Sequence, residues 1–314
     1  MSSSTARRYP NEPPVAQVTG DPGVRFAHFE VHSLIGRGGM AEVFRGVDLE
    51  GPRRGWPVAI KRLLPEFARD ETYVRHFLRE AALCQTLSHP HIVTLYESGT
   101  WEGVHYIAME LLDGRDLAQV LRRCAERHIL LPVDFAVYLT RVLLEALDGA
   151  HARGIVHCDV SPSNLFISRT GEIKLGDFGV ARTALAGEST ALVAGKPYYV
   201  SPEALDGRVD LRADLWAASV TLYELLTLEW PFTGASVDEV LKSIVYGRYR
   251  AARRVRRDLP RALSKLLDRA LSPRPDRRFA SARELSEALR AHHDELVGTP
   301  LAIAAVVRGL FGLA

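Results

Sequence analysis

The chain has 314 residues, of which 47% are hydrophobic and 25% are charged, and these values predict one large or two medium globular domains. Its net charge of +2, from 40 basic and 38 acidic residues, excludes a general electrostatic attraction to nucleic acid, so no nucleic-acid partner is expected. Three cysteines without a repeating spacing argue against a disulfide framework or a zinc site and favour a reducing, cytoplasmic location.

The two ends of the chain differ in composition from the rest. Residues 1–25 are expected to be a flexible tail, because they lack the apolar core of a signal peptide. Residues 296–314 are strongly apolar, but Pro300 and Arg308 leave only seven uninterrupted apolar residues. A helix that spans a membrane needs about 20 consecutive apolar residues. The segment is therefore predicted to be a helix docked on the protein's own surface, with no transmembrane span, and contact with a membrane or a partner stays open.

Between these ends, the pattern of apolar residues changes once. Residues 26–112 are predicted to be β-rich with one major helix over 72–87, where apolar residues recur at helical spacing. Residues 113–295 are predicted to be mainly helical, with a long helix over 132–154 and a buried one over 214–228, which is apolar nearly all round. The predicted strands lie at 29–36, 41–48, 56–63, 91–97 and 104–111. Ligand sites commonly lie between two such parts of a chain.

A glycine-rich segment, GRGGMAEVF (36–44), lies between two of these strands. Gly36, Gly38 and Gly39 would let backbone N–H groups approach phosphate oxygens closely, because they carry no side chain that intrudes. Taken alone, the segment is also explained by a flexible hairpin turn.

Two further motifs carry charged side chains. Lys61 ends the strand motif VAIK (58–61), and Glu80 lies on the following helix. Glu80 would hold Lys61 over a nucleotide's phosphates, although a structural salt bridge explains the pair as well. Asp177 begins the motif DFG (177–179) and is a hard oxygen ligand of the kind that Mg²⁺ prefers.

Together these motifs resemble the signature set of the protein kinases, since they occur in the family's order with H-x-D-x-x-x-x-N (157–164) among them. The stretch from Phe26 to Leu296 is similar to the eukaryotic-like Ser/Thr protein kinases of bacteria. The resemblance implies an α+β class and a bilobal protein kinase fold, with a small β-rich N-lobe containing one major helix and a larger α-helical C-lobe. It also implies that Arg278 pairs with Glu203 and that Asp214 anchors the catalytic loop.

The resemblance further implies the cofactors ATP and Mg²⁺ and a role for each site residue. Asp159 would orient and deprotonate the attacking hydroxyl, Asn164 and Asp177 would bind Mg²⁺, and His157 would pack beneath Phe178. The residues implied in nucleotide binding are Ile35, Gly36, Gly38, Gly39, Val43, Ala59, Lys61, Glu80, Met109, Glu110, Leu112 and Phe166.

The catalytic loop HCDVSPSN departs from the family's usual H-R-D-x-K-P-x-N at two cations. Because Cys158 replaces the arginine, a phosphate on the activation segment would have no bidentate partner beside Asp159. We therefore expect that the triple variant Thr183→Ala, Ser189→Ala, Thr190→Ala keeps its turnover within a few-fold of the parent. A near-total loss of turnover in that variant would contradict this expectation.

Ser161 replaces the lysine that normally meets the γ-phosphate, and Lys196 stands where Ser/Thr kinases usually have a threonine. We hypothesise a swap, in which Lys196 brings its ammonium back to Asp159 beside the small Ser161. A solvent-facing Lys196 is the alternative. Since both altered positions usually mark Ser/Thr over Tyr specificity, the Ser/Thr preference depends on overall similarity alone.

The leading prediction is an active protein kinase acting on Ser/Thr hydroxyls of protein substrates, including itself. The alternative is a pseudokinase, a nucleotide-binding scaffold that regulates a partner protein. The run RYRAARRVRR (248–257) contains six arginines and is predicted to be a solvated surface connection or a docking site for an acidic partner. The sequence names neither the substrate nor the upstream signal, and it does not indicate the oligomeric state.

Overall fold

The computed structural model describes residues 23–178, 182–183, 196–292 and 298–312. The described residues form two compact units. One unit runs to Arg75 and also includes Leu95–Leu111, and the other contains His76–Thr94 and the residues from Leu112 onward.

The first unit is built on a six-stranded antiparallel sheet with the strand order β1-β2-β3-β4-β6-β5. Its strands are β1 (Val24–Phe26), β2 (Phe29–Arg37), β3 (Ala41–Asp48), β4 (Pro57–Leu63), β5 (Leu95–Trp101) and β6 (Val104–Glu110). Helix α1 (Glu71–Gln85) follows β4 and begins where Asp70 accepts a hydrogen bond from the Thr72 backbone N–H (2.8 Å). Strands β2, β3, β4 and β6 and this helix lie within two residues of the ranges that the sequence predicts, whereas β5 begins four residues later than the predicted 91–97 and β1 was not predicted.

The two faces of this sheet have different roles, because successive side chains of a strand point to opposite faces. One face is buried under a small hydrophobic cluster. Its members are Phe26, Ala27, Phe29, Val31, Val58, Ile60, Tyr106 and Ala108. The intervening residues of the central strands, including Val43, Ala59 and Lys61, therefore share the opposite face.

The second unit is mainly helical and contains the larger core. Besides residues His76–Gln85 of α1, its helices are α2 (Leu117–Glu126), α3 (Val133–His151), α4 (Pro202–Leu205), α5 (Leu211–Thr227), α6 (Val237–Val245), α7 (Ala252–Val255), α8 (Arg261–Ala270), α9 (Ala282–Arg290) and α10 (Pro300–Phe311). All residues of α5 from Ala213 to Thr227 are buried, which agrees with its apolar sequence. Helix α3 packs against both α5 and α9.

Short strands within the second unit position the loops between the helices. Strands β7 (Gly114–Asp116), β9 (Leu165–Ser168) and β10 (Ile173–Leu175) form an antiparallel sheet in the order β10-β9-β7. Strand β8 (Ile155–Val156) pairs with β11 (Arg182–Thr183).

The arginine-rich connection 248–257 is partly built into the fold. Arg256 donates to the carbonyl oxygen of Leu226 near the end of α5 (3.1 Å), and Arg250 donates to Glu229 (2.8 Å). Because these side chains find partners within the chain, the predicted acidic partner has no support.

Residues Pro300–Phe311 of the apolar C-terminal segment form α10, which packs against α2 and β9. Ile303, Ala304, Val307 and Leu310 are the buried residues of this helix. Within the described ranges, no helix has both the length and the apolar character that crossing a membrane requires.

Candidate active site

The loop between β8 and β9, residues 157–164, is fixed in place by one buried carboxylate. Asp214 on α5 is 1% exposed and accepts hydrogen bonds from the backbone N–H groups of His157 (2.9 Å) and Cys158 (2.9 Å). Cys158 adopts a left-handed conformation with φ of 65°, which is unfavourable for a residue with a side chain. The two hydrogen bonds to Asp214 offset that cost and fix the loop.

His157 has a packing and hydrogen-bonding role, as predicted. Its ring is fully buried, and its centroid lies 4.4 Å from that of Phe178. Nδ1 accepts a hydrogen bond from the Asp159 N–H (3.2 Å), and Nε2 donates to the carbonyl oxygen of Gly176 (3.2 Å). Because the backbone occupies both ring nitrogens, the imidazole orients the loop.

Asn164 ties the end of the loop to Asp159. Its Nδ2 amide donates to the backbone oxygen of Asp159 (2.8 Å) and to the Oδ2 atom of the same residue (2.9 Å). These two bonds use both amide protons and fix the position of the Asp159 carboxylate, which is 27% exposed. The Asn164 side chain therefore helps to set the direction in which Asp159 points.

The Lys196 side chain reaches back into this loop. Its ammonium Nζ lies 3.1 Å from Asp159 Oδ2, 2.9 Å from Ser161 Oγ and 3.4 Å from Asn164 Oδ1. An ammonium has three donors, and each of them has an oxygen partner here. Ser161 is only 1% exposed. Because its side chain is small, the Lys196 ammonium has room beside it. This arrangement matches the hypothesised swap in its geometry, whereas its catalytic role stays a prediction.

Asn164 and Asp177 lie at the same end of the β9–β10 hairpin, just outside its two paired strands. Leu165 of β9 pairs with Leu175 of β10, and the Gly176 N–H donates to the Asn164 carbonyl oxygen (2.9 Å). Asp177 is exposed and has a φ of 62°. One carboxylate and one amide oxygen at the same end of a hairpin fit Mg²⁺, which binds one or two carboxylates together with substrate phosphates.

The glycine-rich segment forms the turn between β2 and β3, where the Gly38 N–H donates to the Ala41 carbonyl oxygen (2.8 Å). A Cβ atom at Gly39 would meet no atom within 4 Å, and one at Gly38 would come no closer than 3.6 Å to its neighbour. The chain itself therefore has room for side chains at these positions. A ligand that approaches the backbone closely is a physical reason for glycine there.

The other residues that are predicted to contact a nucleotide lie on the strands and helices described above. Their contacts with a nucleotide stay predictions. Pairing across the sheet places Val43 opposite Lys61 and Ala59 opposite Met109, so these four side chains share one face. Lys61 on β4 and Glu80 on α1 are both buried, at 8% and 4% exposure. The remaining four positions are Ile35 on β2, Glu110 at the end of β6, Leu112 after it and Phe166 on β9.

Two groups of contacts were not predicted from the sequence. His151 Nε2 lies 2.7 Å from Asp214 Oδ2, so α3 also contacts the carboxylate that anchors the loop. After Lys196, the rings of Tyr198 and Trp230 are stacked with their centroids 4.0 Å apart. The only sequence signal for the first contact is a histidine in the last turn of a predicted helix. Of the three activation-segment sites, Ser189 and Thr190 lie outside the described residues, and Thr183 is described only as part of the backbone of β11.

Comparisons with known proteins agree with this geometry. Residues 29–291 match the model of the protein kinase domain. The chain is 35% identical over 294 residues to the tyrosine-protein kinase MasK of Myxococcus xanthus, an alignment that covers 88% of this chain and 45% of MasK. It is 33% identical over 273 residues to the serine/threonine-protein kinase PknH of Mycobacterium tuberculosis, covering 86% of this chain and 42% of PknH. The chain thus spans less than half the length of these relatives.

The fold agrees with that of a solved kinase domain. The crystal structure of the Mycobacterium tuberculosis PknI kinase domain superposes with a TM-score of 0.67 and 31% identity, covering 87% of this chain and 99% of that one. The predicted protein kinase fold, with a β-rich N-lobe and a helical C-lobe, is therefore confirmed. Since the family model covers most of the sequence, the chain belongs to the protein kinase domain family.

Proposed function

We propose that this protein transfers the γ-phosphoryl group of ATP to Ser/Thr hydroxyls of protein substrates, including itself. Members of the family generally use ATP and Mg²⁺. The observation that carries the proposal is the cluster in which the Lys196 ammonium lies 3.1 Å from Asp159 Oδ2 and 3.4 Å from Asn164 Oδ1. A carboxylate, an ammonium and an amide are thus preorganised at one point of the loop.

The proposed roles follow from this arrangement. Asp159, fixed by Asn164 and Lys196, accepts the proton of the substrate hydroxyl. Lys196 presents positive charge where negative charge develops on the transferred group, which is the position left without a cation by Ser161. When bound, ATP supplies the phosphoryl group, and Mg²⁺ held by Asn164 and Asp177 neutralises part of its charge.

The sequence predicts the choice of acceptor hydroxyl from overall similarity alone, and the names of the relatives bear on it. MasK is named a tyrosine-protein kinase, whereas PknH and PrkC of Bacillus subtilis are named serine/threonine-protein kinases. We propose Ser/Thr acceptors because most of the similar kinases carry that name. Phosphoamino-acid analysis of the labelled product tests this choice, and phosphotyrosine alone would contradict it.

The pseudokinase alternative has no observation in its favour, either in the comparisons or among the residues that the structure describes. Asp159 and Asn164 are both present and hydrogen-bonded to each other, and Asp177 lies at the adjacent strand end.

A cytoplasmic location is part of the proposal. None of the three cysteines, Cys84, Cys124 and Cys158, forms a disulfide bond, as is usual in a reducing compartment, and burial raises the pKa of the Cys124 thiol to about 11.

The test is transfer of label from γ-labelled ATP in the presence of Mg²⁺, with and without a generic basic protein as substrate. We expect label in the protein and in the substrate. The variant Asp159→Asn keeps the hydrogen-bonding shape but cannot accept the proton, so its rate should fall about 10²–10⁴-fold. Absence of transfer from a parent protein that still binds ATP would overturn the proposal, as would full transfer by Asp159→Asn.

A further inference from the structure

Helix α10 lies beyond residues 29–291, so the family model assigns it no role. Its buried side chains are part of the core of the second unit, together with residues of α2 and β9. Residues Leu301, Ala305 and Gly309 are exposed on the opposite face of the helix. The helix is thus amphipathic in its packing, and its buried face contacts α2 and β9.

Polar contacts fix the C-terminal end of α10 on α2. Arg123 Nε donates to the Leu310 carbonyl oxygen (3.2 Å), and an Arg127 guanidinium nitrogen lies 3.4 Å from the Gly309 carbonyl oxygen. These oxygens belong to the last turn of the helix, where carbonyl groups have no partner within the helix and where positive charge is favourable. Arg115, which lies on β7, places its guanidinium 5.3 Å from the centroid of the Phe311 ring.

The N-terminal end of α10 lies against the turn between β9 and β10. Gly171 in that turn has a φ of +91°, and a Cβ atom there would lie 1.9 Å from the Pro300 carbonyl oxygen. The approach of the two backbones is therefore possible only with glycine. Farther along the helix, Arg308 donates to the Arg169 carbonyl oxygen in the same turn (3.3 Å). The turn is thus held at two points.

The hairpin that α10 holds carries both predicted metal ligands. Asn164 immediately precedes β9, and Asp177 follows β10 by two residues, so both lie at the end of the hairpin opposite the turn. Strand β9 has four residues and β10 has three, which makes the hairpin short enough for a displaced turn to displace the ligands. We infer that α10 is a positioning element of the catalytic unit, which fixes the β9–β10 hairpin and through it the relative placement of Asn164 and Asp177. The inference rests on the proposed function of these two residues.

The variant Gly171→Ala tests this directly, because its methyl group would push the turn away from Pro300. Its matched control is Gly103→Ala in the β5–β6 turn, where φ is +80° but a Cβ atom would meet nothing within 4 Å. Both variants bear the backbone strain of a positive φ, and only one disturbs α10. We expect the Mg²⁺ concentration for half-maximal ATP binding to rise about tenfold in Gly171→Ala, as is typical when the support of a metal ligand is lost, and to stay unchanged in Gly103→Ala.

A second pair of variants acts from the helix itself. Val307→Asp places a charge on the buried face of α10, and Ala305→Asp places the same charge on the exposed face. Hydrogen exchange of the amides of residues 164–176 should accelerate in Val307→Asp at a temperature where circular dichroism shows the protein folded, and it should not change in Ala305→Asp. The Mg²⁺ requirement for ATP binding should rise in parallel.

The outcomes separate this inference from the proposed function. If Gly171→Ala and Val307→Asp lower the melting temperature but leave the Mg²⁺ requirement and hydrogen exchange of the hairpin as in the controls, α10 only contributes stability and the inference is wrong. The two readouts are the Mg²⁺ requirement for ATP binding and the hydrogen exchange of the hairpin amides. Neither needs phosphoryl transfer, so both remain decisive even if the parent protein transfers no phosphoryl group.

Discussion

Replacing Lys196 by alanine is expected to lower the kcat of phosphoryl transfer about 10²–10³-fold, because it removes a preorganised charge from the point where, in the proposed mechanism, negative charge develops. The KM for ATP should change by no more than a few-fold. The described contacts of the Lys196 ammonium are with Asp159, Ser161 and Asn164, so it lies at the proposed reacting centre. Loss of an interaction made in the transition state lowers kcat and kcat/KM together. Steady-state kinetics of peptide phosphorylation measures both constants.

The matched control is Lys265→Ala, which removes an exposed lysine on α8 and should keep the parent's kinetics. A stronger test restores the usual family arrangement by combining Ser161→Lys with Lys196→Thr. Ser161→Lys alone should be nearly inactive, because Ser161 is 1% exposed and its Oγ lies 2.9 Å from the Lys196 ammonium. The double variant removes that conflict and should recover much of the lost kcat. If the kcat losses of Ser161→Lys and Lys196→Thr simply add in the double variant, a lysine at position 161 does not take over the role of Lys196.

The second large effect concerns stability. Arg278→Ala is expected to reduce the free energy of unfolding by about 3–5 kcal/mol, because it leaves the Glu203 carboxylate buried without its partner. The Arg278 side chain is fully buried and binds both carboxylate oxygens of Glu203, at 2.7 and 2.8 Å. It also donates to the Ser272 carbonyl oxygen (2.8 Å). Urea denaturation followed by tryptophan fluorescence measures the change.

Two comparisons give this prediction its specificity. Arg208→Ala removes a similar pair with Asp206, but both side chains there are exposed, so the free energy of unfolding should stay within about 1 kcal/mol of the parent. The double variant Glu203→Gln, Arg278→Met removes both charges and should be less destabilised than Arg278→Ala. If the single and double variants lose equal stability, the cost does not come from an unpaired buried charge.

Much of the fold could be predicted from the sequence because its signals are local. The apolar residues of α5 are continuous along the chain, so a buried helix follows without knowledge of its neighbours. The strands around the glycine-rich segment are likewise set by short runs of residues with β propensity. Lys196 could be connected with Ser161 because a family resemblance supplied the expected residue at each position, and spacing alone would not have linked them.

The contacts that hold the site depend instead on residues far apart in the sequence. The apolar segment 296–314 determined that a helix would form and that it needed an apolar partner surface. Only the tertiary structure decided that this surface is α2 and β9, because many apolar surfaces offer similar burial and the choice depends on shape. The close approach of Gly171 to Pro300 and the contact of His151 with Asp214 arise in the same way. The sequence by itself determined which groups the protein has for its chemistry, and the folded packing decided which of them touch, since distance and direction exist only after the chain is folded.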